Sequence, residues 1–303
     1  LIYFIIFFKK KTLIYFKSNM RGFLGLTSIF LKNSSQIHIN NLKIGMVLED
    51  DSKIICLQKM INYHPLYLYK NRVYLSGESK VIENGHSIYI KDSTLSVETS
   101  CKPEFIYGIS TSSSIISIRG LTFIDYSQSR NVFINKTINS LILSLWNNGK
   151  EESDNFSKGV VFLEHGFGGN TKFKMADGTF KKIHNLELGD ILENKNPIIG
   201  KIELDPNMFL FYDFCGVVAT SNTKVYDDIV WKNIEYAQYT EPIVKPIKAF
   251  NIITKKGLIK CKNNYFLDYA EVKNDMIAGE IEKLLDLGFH FNKDNDLVIQ
   301  NTI

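Results

Sequence analysis

Gly166-Phe-Gly-Gly-Asn-Thr171 is a near copy of Gly22-Phe-Leu-Gly-Leu-Thr27, which lies 144 residues earlier in the chain. When 21–49 is aligned with 165–193 without a gap, 10 of the 29 positions are identical. Chance would give roughly two identities at ordinary composition. The match therefore indicates an internal duplication, and it predicts that the fold contains two copies of one module.

Two further blocks follow in the same order in both halves. Val73–Val81 matches Val217–Val225 at the same offset, and Phe123–Tyr126 matches Phe266–Tyr269 at an offset one residue shorter. A polar segment between the halves is typical of a linker. The predicted organisation is an N-terminal extension at 1–20, a first repeat at 21–149, a linker at 150–164, a second repeat at 165–290 and a tail at 291–303.

Strand signals dominate inside each repeat. Lys172–Ile183 predicts a hairpin around Asp177-Gly178, a pair favoured in tight type I′ turns. Ile88–Lys91 and Leu258–Cys261 are further short strand candidates. Apolar residues at helical spacing near 138–145 and 277–285 predict a short helix after each repeat. The predicted fold class is mostly all-β, two tandem β modules each followed by a short α-helix.

Composition limits the function classes. The 303 residues carry a net charge of only +4, without a basic stripe interleaved with aromatics, so nucleic-acid binding is not expected. The four cysteines form no C-x-x-C pair and the six histidines lack metal-ligand spacing, so neither a metal nor a cofactor is expected. Scattered cysteines are best interpreted as free, buried thiols, which favours a reducing, cytoplasmic compartment.

The N-terminus allows two interpretations. The apolar run Leu1–Phe8 is too short to span a bilayer, and its lysines follow it rather than precede it as in a secretory signal. Residues 1–19 are either a segment outside the fold, which is the favoured interpretation, or an anchor at a membrane surface. Membrane contact through 1–16 is therefore not expected.

The combined motifs resemble the Hint (hedgehog/intein) family of autoprocessing domains, in the form found in large DNA viruses. The opening Gly166–Thr171, the Asp177-Gly178 turn and Ile183–Asp190 are similar to the start of such a domain. Thr220–Thr223 resembles the family's T-x-x-H block, and Phe266–Glu271 resembles its terminal block. The resemblance covers roughly 21–128 and 165–271 and implies an all-β fold with a self-cleavage site.

The resemblance also implies where that chemistry would lie. In the family a first Cys attacks the peptide bond before it, and the Thr and His of the block polarise and protonate that bond. Glycine stands at the nucleophile position in both repeats, and a hydroxyl residue replaces the His, so no catalytic residue is intact. The degenerate family positions are Gly166, Thr171, Thr220, Thr223 and Asp268 in the second repeat, and Gly22, Thr27, Ser76, Ser79 and Asp125 in the first.

Three functions follow from this pattern. The leading hypothesis is a non-catalytic Hint-like protein that serves as a structural or interaction module, with a protein as the possible partner. The alternative is an active self-cleaving domain with an unrecognised nucleophile, for which Cys215, five residues before Thr220, is the nearest candidate. The third, a small-ligand or lipid-associated module, rests only on the apolar N-terminus and the sterol chemistry of hedgehog-type relatives.

Overall fold

The structure is a computed structural model that describes residues 20–125 and 165–268, together with the backbone of 289–291 and 297–299. The prediction of a mostly all-β chain is confirmed: the described residues form short antiparallel strands joined by turns and single-turn 3-10 helices. These helices span Ile39–Asn41, Ile90–Asp92, Ile183–Asn185, Pro206–Met208 and Ile234–Tyr236.

The first repeat has twelve described strands. They are β1 (Phe23–Leu24), β2 (Ser28–Phe30), β3 (Gln36–His38), β4 (Ile54–Ile61), β5 (Tyr67–Tyr69), β6 (Val73–Leu75), β7 (Lys80–Glu83), β8 (His86–Tyr89), β9 (Ser96–Glu98), β10 (Phe105–Thr111), β11 (Ile115–Ile118) and β12 (Leu121–Ile124).

The second repeat has the same strands, and each begins 143 or 144 residues after its counterpart. They are β13 (Phe167–Gly168), β14 (Lys172–Lys174), β15 (Phe180–Lys182), β16 (Ile198–Leu204), β17 (Phe211–Phe214), β18 (Val217–Thr220), β19 (Lys224–Asp227), β20 (Val230–Asn233), β21 (Thr240–Ile243), β22 (Ala249–Thr254), β23 (Leu258–Cys261) and β24 (Asn264–Leu267). A separate hairpin pairs β25 (Phe289–Phe291) with β26 (Leu297–Ile299).

The two repeats share one sheet of twelve strands, in the order β21-β17-β18-β13-β22-β16-β4-β10-β1-β6-β5-β9. This order is palindromic, since equivalent strands of the two repeats stand at equal distances from the centre. At the centre β4 pairs antiparallel with β16, its own counterpart, from Cys56 opposite Leu204 to Met60 opposite Gly200. The described repeats are therefore related by a local two-fold axis.

Each repeat also has its own core under a smaller sheet. In the second repeat β23-β24-β19-β20 form that sheet, and Phe167 makes edge-to-face contacts with Phe173 and Phe266, each with ring centroids 5.4 Å apart. In the first repeat β11-β12-β7-β8 form the sheet, and Phe23 packs on Phe123 at the same 5.4 Å. The duplicated motifs thus place equivalent aromatic rings in equivalent cores.

A third core lies across the β4–β16 seam and belongs to both repeats. It joins buried side chains from each, among them Met20, Cys56, Met60, Ile106, Ile202, Leu204 and Ile253. One ion pair also crosses the seam, with the Lys53 ammonium 2.7 Å from the Asp205 carboxylate. Burial raises the pKa of Asp205, but the Lys53 ammonium and the Asn207 amides outweigh it and hold the pKa below its usual value.

The hairpin at Lys172–Lys182 is confirmed, but its turn is not type I′. Only Gly178 has a positive φ, +85°, and its N–H donates to the carbonyl of Met175, so a type I turn is followed by a left-handed glycine. The carboxylate of Asp177 explains the difference, because it accepts the N–H of Thr179 at 2.9 Å and fixes Asp177 in the turn.

The predicted helices at 138–145 and 277–285 lie outside the described residues, as do the linker at 150–164 and the extension at 1–19. Within the described ranges, the short helices are all of the 3-10 type, so the helical part of the fold prediction is not borne out there. The strand candidate Leu258–Cys261 is confirmed as β23. The candidate Ile88–Lys91 overlaps β8 and the 3-10 helix that follows it.

Candidate functional site

The second repeat brings Gly166, Thr220 and Thr223 together. The amide N–H of Gly166 donates to the hydroxyls of both threonines, with both nitrogen–oxygen distances 3.1 Å. The two hydroxyl oxygens are 2.9 Å apart. The carbonyl of Gly166 accepts the backbone N–H of Thr220 at 2.8 Å and the hydroxyl of Thr223 at 3.2 Å. The predicted nucleophile position and both block positions therefore form one buried cluster.

The first repeat builds the same cluster with serines. The amide N–H of Gly22 donates to the hydroxyls of Ser76 and Ser79 at 3.1 and 3.2 Å, and these hydroxyls lie 3.0 Å apart. The carbonyl of Gly22 accepts the N–H of Ser76 at 2.8 Å. The bonds from the Gly22 amide to the two hydroxyls, and the contact between those hydroxyls, thus repeat the ones found 144 positions later.

The local chain explains why the two hydroxyls meet. β18 ends at Thr220, and the N–H of Thr223 donates back to the carbonyl of Thr220 at 3.0 Å, which closes a turn. Residues at the first and fourth positions of such a turn lie close together, so their side chains face the same strand. Ser76 and Ser79 close the equivalent turn at 3.1 Å. The turn therefore requires the two residues that separate the hydroxyl positions in each block.

The space beside each glycine is filled. A Cβ atom built on Gly166 would lie 2.5 Å from the Cδ1 atom of Leu204. A Cβ atom on Gly22 would lie 3.1 Å from both the Cβ of Ile106 and the carbonyl oxygen of Tyr107. Leu204 and Ile106 belong to the core shared by the repeats. The packing at the seam therefore occupies the place that a nucleophilic side chain would need.

The remaining predicted positions lie in the frame around the cluster. The Thr171 hydroxyl donates to the carbonyl of Val218 at 3.2 Å, and Thr27 is a buried turn residue whose N–H donates to the carbonyl of Leu24 at 2.9 Å. The carboxylates of Asp268 and Asp125 each accept a backbone N–H at 2.6 Å, from Thr254 and Thr111 respectively, at the end of a central strand.

His165 is a site residue that sequence reasoning did not single out. It immediately precedes Gly166, is 1% exposed, and its Nδ1 lies 3.1 Å from the carbonyl oxygen of Asp268. A carbonyl only accepts, so Nδ1 carries the proton and Nε2 is the bare nitrogen, which has no hydrogen-bond partner. Burial, with the nearby charge of Lys224, lowers the pKa of His165 to about 3. Its position next to the predicted nucleophile position was the available signal.

Lys224 adds an unusual buried cation beside this cluster. It follows Thr223 directly, is 0% exposed, and its ammonium contacts the amide oxygen of Asn233, its partner across β19 and β20. The amide of Asn233 in turn donates to Asn222 at 3.3 Å. A buried ammonium needs such acceptors. The contacts tie the Thr220–Thr223 turn to the neighbouring strand.

The four cysteines are poorly suited to act as the nucleophile. Burial raises the pKa of Cys56 to about 12, and burial likewise raises the pKa of Cys261 to about 12. Such thiols carry almost no thiolate at neutral pH. Cys215 is exposed in the turn between β17 and β18, with φ +52°, and Cys101 is partly buried. The prediction of four buried thiols is thus wrong for Cys215, because the turn points it to solvent.

Neither the known protein-family models nor the curated proteins gave a match to this chain. Among the described residues, His, Cys, Asp and Glu side chains form no group of three that could hold a metal ion. In the same part of the chain, no helix has the length and apolar character needed to cross a membrane.

Proposed function

We propose that this chain is a degenerate, doubled Hint-like protein without autoprocessing activity, and that it serves as a structural or interaction module. The observation that carries the proposal is the repeated cluster around Gly22 and Gly166. The three positions singled out by the resemblance meet at one peptide nitrogen in each repeat. That nitrogen belongs to the bond that the family's first residue would attack.

The chemistry of the cluster supports the inactive half of the proposal. Cleavage needs a side chain at the first position to attack the preceding carbonyl, and glycine offers none. It also needs a group that protonates the departing nitrogen, whereas the Thr220 and Thr223 hydroxyls accept the hydrogen of Gly166. Hydroxyls do not titrate near neutral pH as imidazole does. The cluster therefore holds the amide in place instead of activating it.

The alternative of a self-cleaving domain with another nucleophile finds little support in the thiols. Cys56 and Cys261 have pKa values of about 12. Cys215, the nearest in sequence, points outward from its turn, and its carbonyl accepts the ammonium of Lys262 at 2.8 Å.

Intact-mass spectrometry tests the proposal. The purified chain is incubated with dithiothreitol or with hydroxylamine, which cleave a thioester or ester intermediate. We expect a single unchanged mass under both conditions. A fragment beginning at Gly166 or Gly22 would restore the self-cleaving alternative, and a Cys215→Ser variant would then identify whether that thiol is responsible.

A further inference from the structure

The second repeat exposes large apolar side chains on two neighbouring segments at one end of the twelve-stranded sheet. The exposed patch consists of Met208, Leu210, Ile243, Val244 and Ile247, whose exposed fractions are 57, 69, 36, 89 and 95%. The segments are adjacent because Phe211 pairs with Ile243, the last pair of β17 and β21, and Lys245 contacts Asn207. Large apolar side chains exposed on adjacent segments are typical of an interaction site.

At the position of Leu210, the first repeat shows that the exposure is not a property of the fold. Leu66 is the counterpart of Leu210 at the offset of 144, yet it is 0% exposed and belongs to the shared core. Its N–H donates to the carbonyl of Cys101 at 2.7 Å, and its carbonyl accepts the N–H of Thr99 at 2.9 Å, so the first repeat covers this position with its own chain. The second repeat leaves the same position open to solvent.

Charge indicates what covers the exposed patch. Lys245 and Lys248 are exposed and alternate with the apolar tips in Val244-Lys-Pro-Ile-Lys248. The acidic side chains on the adjoining strands, Glu241 and Asp213, lie opposite each other, and Asp213 accepts the N–H of Gly216 at 2.6 Å. Exposed apolar side chains flanked by lysines are suited to a membrane surface, where acyl chains lie beneath negatively charged headgroups.

We infer that the exposed patch docks on an anionic phospholipid surface. The apolar tips of Val244 and Ile247 enter the boundary between headgroups and acyl chains, and Lys245 and Lys248 lie at the level of the phosphates. This contact is separate from residues 1–16 and does not rest on the Hint-like interpretation. Pro242 precedes Ile243 and Pro246 precedes Ile247, and proline lacks the N–H that a partner strand would need along this edge.

Flotation of the full chain with vesicles tests the inference. We expect binding to phosphatidylcholine vesicles that contain phosphatidylserine, little binding without it, and weakening as salt rises. Val244→Asp with Ile247→Asp should abolish binding, and Lys245→Gln should weaken it about fivefold. Val97→Asp is the matched control, since Val97 is 65% exposed on β9, the opposite edge of the same sheet. Its binding should equal that of the wild type.

Two results would overturn the inference. One is equal binding by the wild type and the Val244/Ile247 double variant, or no binding by either. The other is a wild type that does not bind vesicles but self-associates as its concentration rises, whereas the double variant does not self-associate. That second result would assign the exposed patch to contact with another copy of the chain. The substituted side chains are solvent-exposed, so the variants keep the fold, and unchanged circular dichroism verifies this.

Discussion

Gln58 lies directly opposite Ile202 in the twelve-stranded sheet, and the two occupy the same position in the two repeats, 144 residues apart. An antiparallel pair formed by a residue and its own counterpart requires a two-fold axis through that pair. The contact has the geometry of a symmetric homodimer interface, contained within one chain. Duplication thus produced a second module together with the surface that it packs on.

The first prediction concerns an isolated second repeat. A fragment of residues 165–290 would leave the β16 edge unpaired and expose Ile199, Ile202 and Leu204, which are at most 5% exposed in the full chain. Exposed, apolar strand edges pair with other chains. We therefore expect the fragment to self-associate through β16, as measured by size-exclusion chromatography with light scattering.

An Ile202→Lys fragment is the control for this prediction, because charge on an edge strand opposes pairing. It should stay monomeric or fail to fold. A wild-type fragment that is folded and monomeric at all concentrations would show that the seam is dispensable and that each repeat is an independent domain.

The sequence alone predicted the parts of the fold that depend on local pattern. The repeat offset follows from motifs that the two repeats share, and the hairpin at Lys172–Lys182 follows from the Asp177-Gly178 pair of the second repeat. The meeting of Gly166 with Thr220 and Thr223 was expected from the resemblance to the Hint family. The β4–β16 seam could not be predicted in this way. β4 alternates buried with more exposed residues, and β16 begins with three buried residues before it alternates, so neither pattern identifies the partner strand.

The second prediction is an acid sensitivity that depends on His165. Its pKa is about 3 in the folded protein against 6.5 for the free side chain, so below pH 6.5 only the unfolded state gains the proton. The contribution of His165 to the free energy of unfolding is complete above pH 6.5 and falls as the pH drops toward 3. Over the first two pH units below 6.5, His165 lowers the free energy of unfolding by about 2–3 kcal/mol.

Thermal denaturation at several pH values measures this effect. His165→Asn keeps a donor near the carbonyl of Asp268 but cannot titrate, so its stability should fall less steeply with acid. His64→Asn is the control, since His64 is exposed, and it should follow the wild type. Parallel curves for His165→Asn and the wild type would contradict the predicted role.

The third prediction uses a difference between two equivalent turns. Asn84 and Gly85 join β7 to β8 with φ values of +49° and +76°, whereas Asp228 and Ile229 join β19 to β20 at +52° and +64°. The left-handed conformation suits Gly85 but strains a β-branched side chain, at a cost of about 1–2 kcal/mol. Ile229 is 83% exposed, so it gains little from packing.

Ile229→Gly should therefore raise the free energy of unfolding, by about 0.5–1 kcal/mol after the larger chain entropy of glycine is subtracted. Urea denaturation measures it. Gly85→Ile is the reciprocal variant and should lower the stability of the first repeat. A destabilised Ile229→Gly variant would mean that the isoleucine makes contacts that outweigh its backbone strain.

The last prediction tests the Hint-like interpretation of the cluster at Gly166. Gly166→Cys with Thr223→His places a nucleophile and an imidazole at the nitrogen of residue 166, but the new Cβ lies 2.5 Å from Leu204 Cδ1. Leu204→Ala removes that obstacle, at a cost of about 2–5 kcal/mol in stability. Since residues that act as a unit are non-additive, we expect slow, thiol-accelerated cleavage before position 166 in the triple variant and none in any single variant. The double variant should be slower than the triple one, because a misplacement of about 1 Å can cost on the order of a hundredfold in rate.

The first repeat provides the matched control. Gly22→Cys with Ser79→His places the new Cβ 3.1 Å from the Ile106 Cβ and from the backbone oxygen of Tyr107, neither of which can rotate away. This variant should stay intact. Mass spectrometry with and without hydroxylamine follows both proteins. If the folded triple variant forms neither a thioester nor a fragment over days, the cluster at Gly166 is not a former cleavage site. The likeness to the Hint family would then extend to the turn and core residues alone.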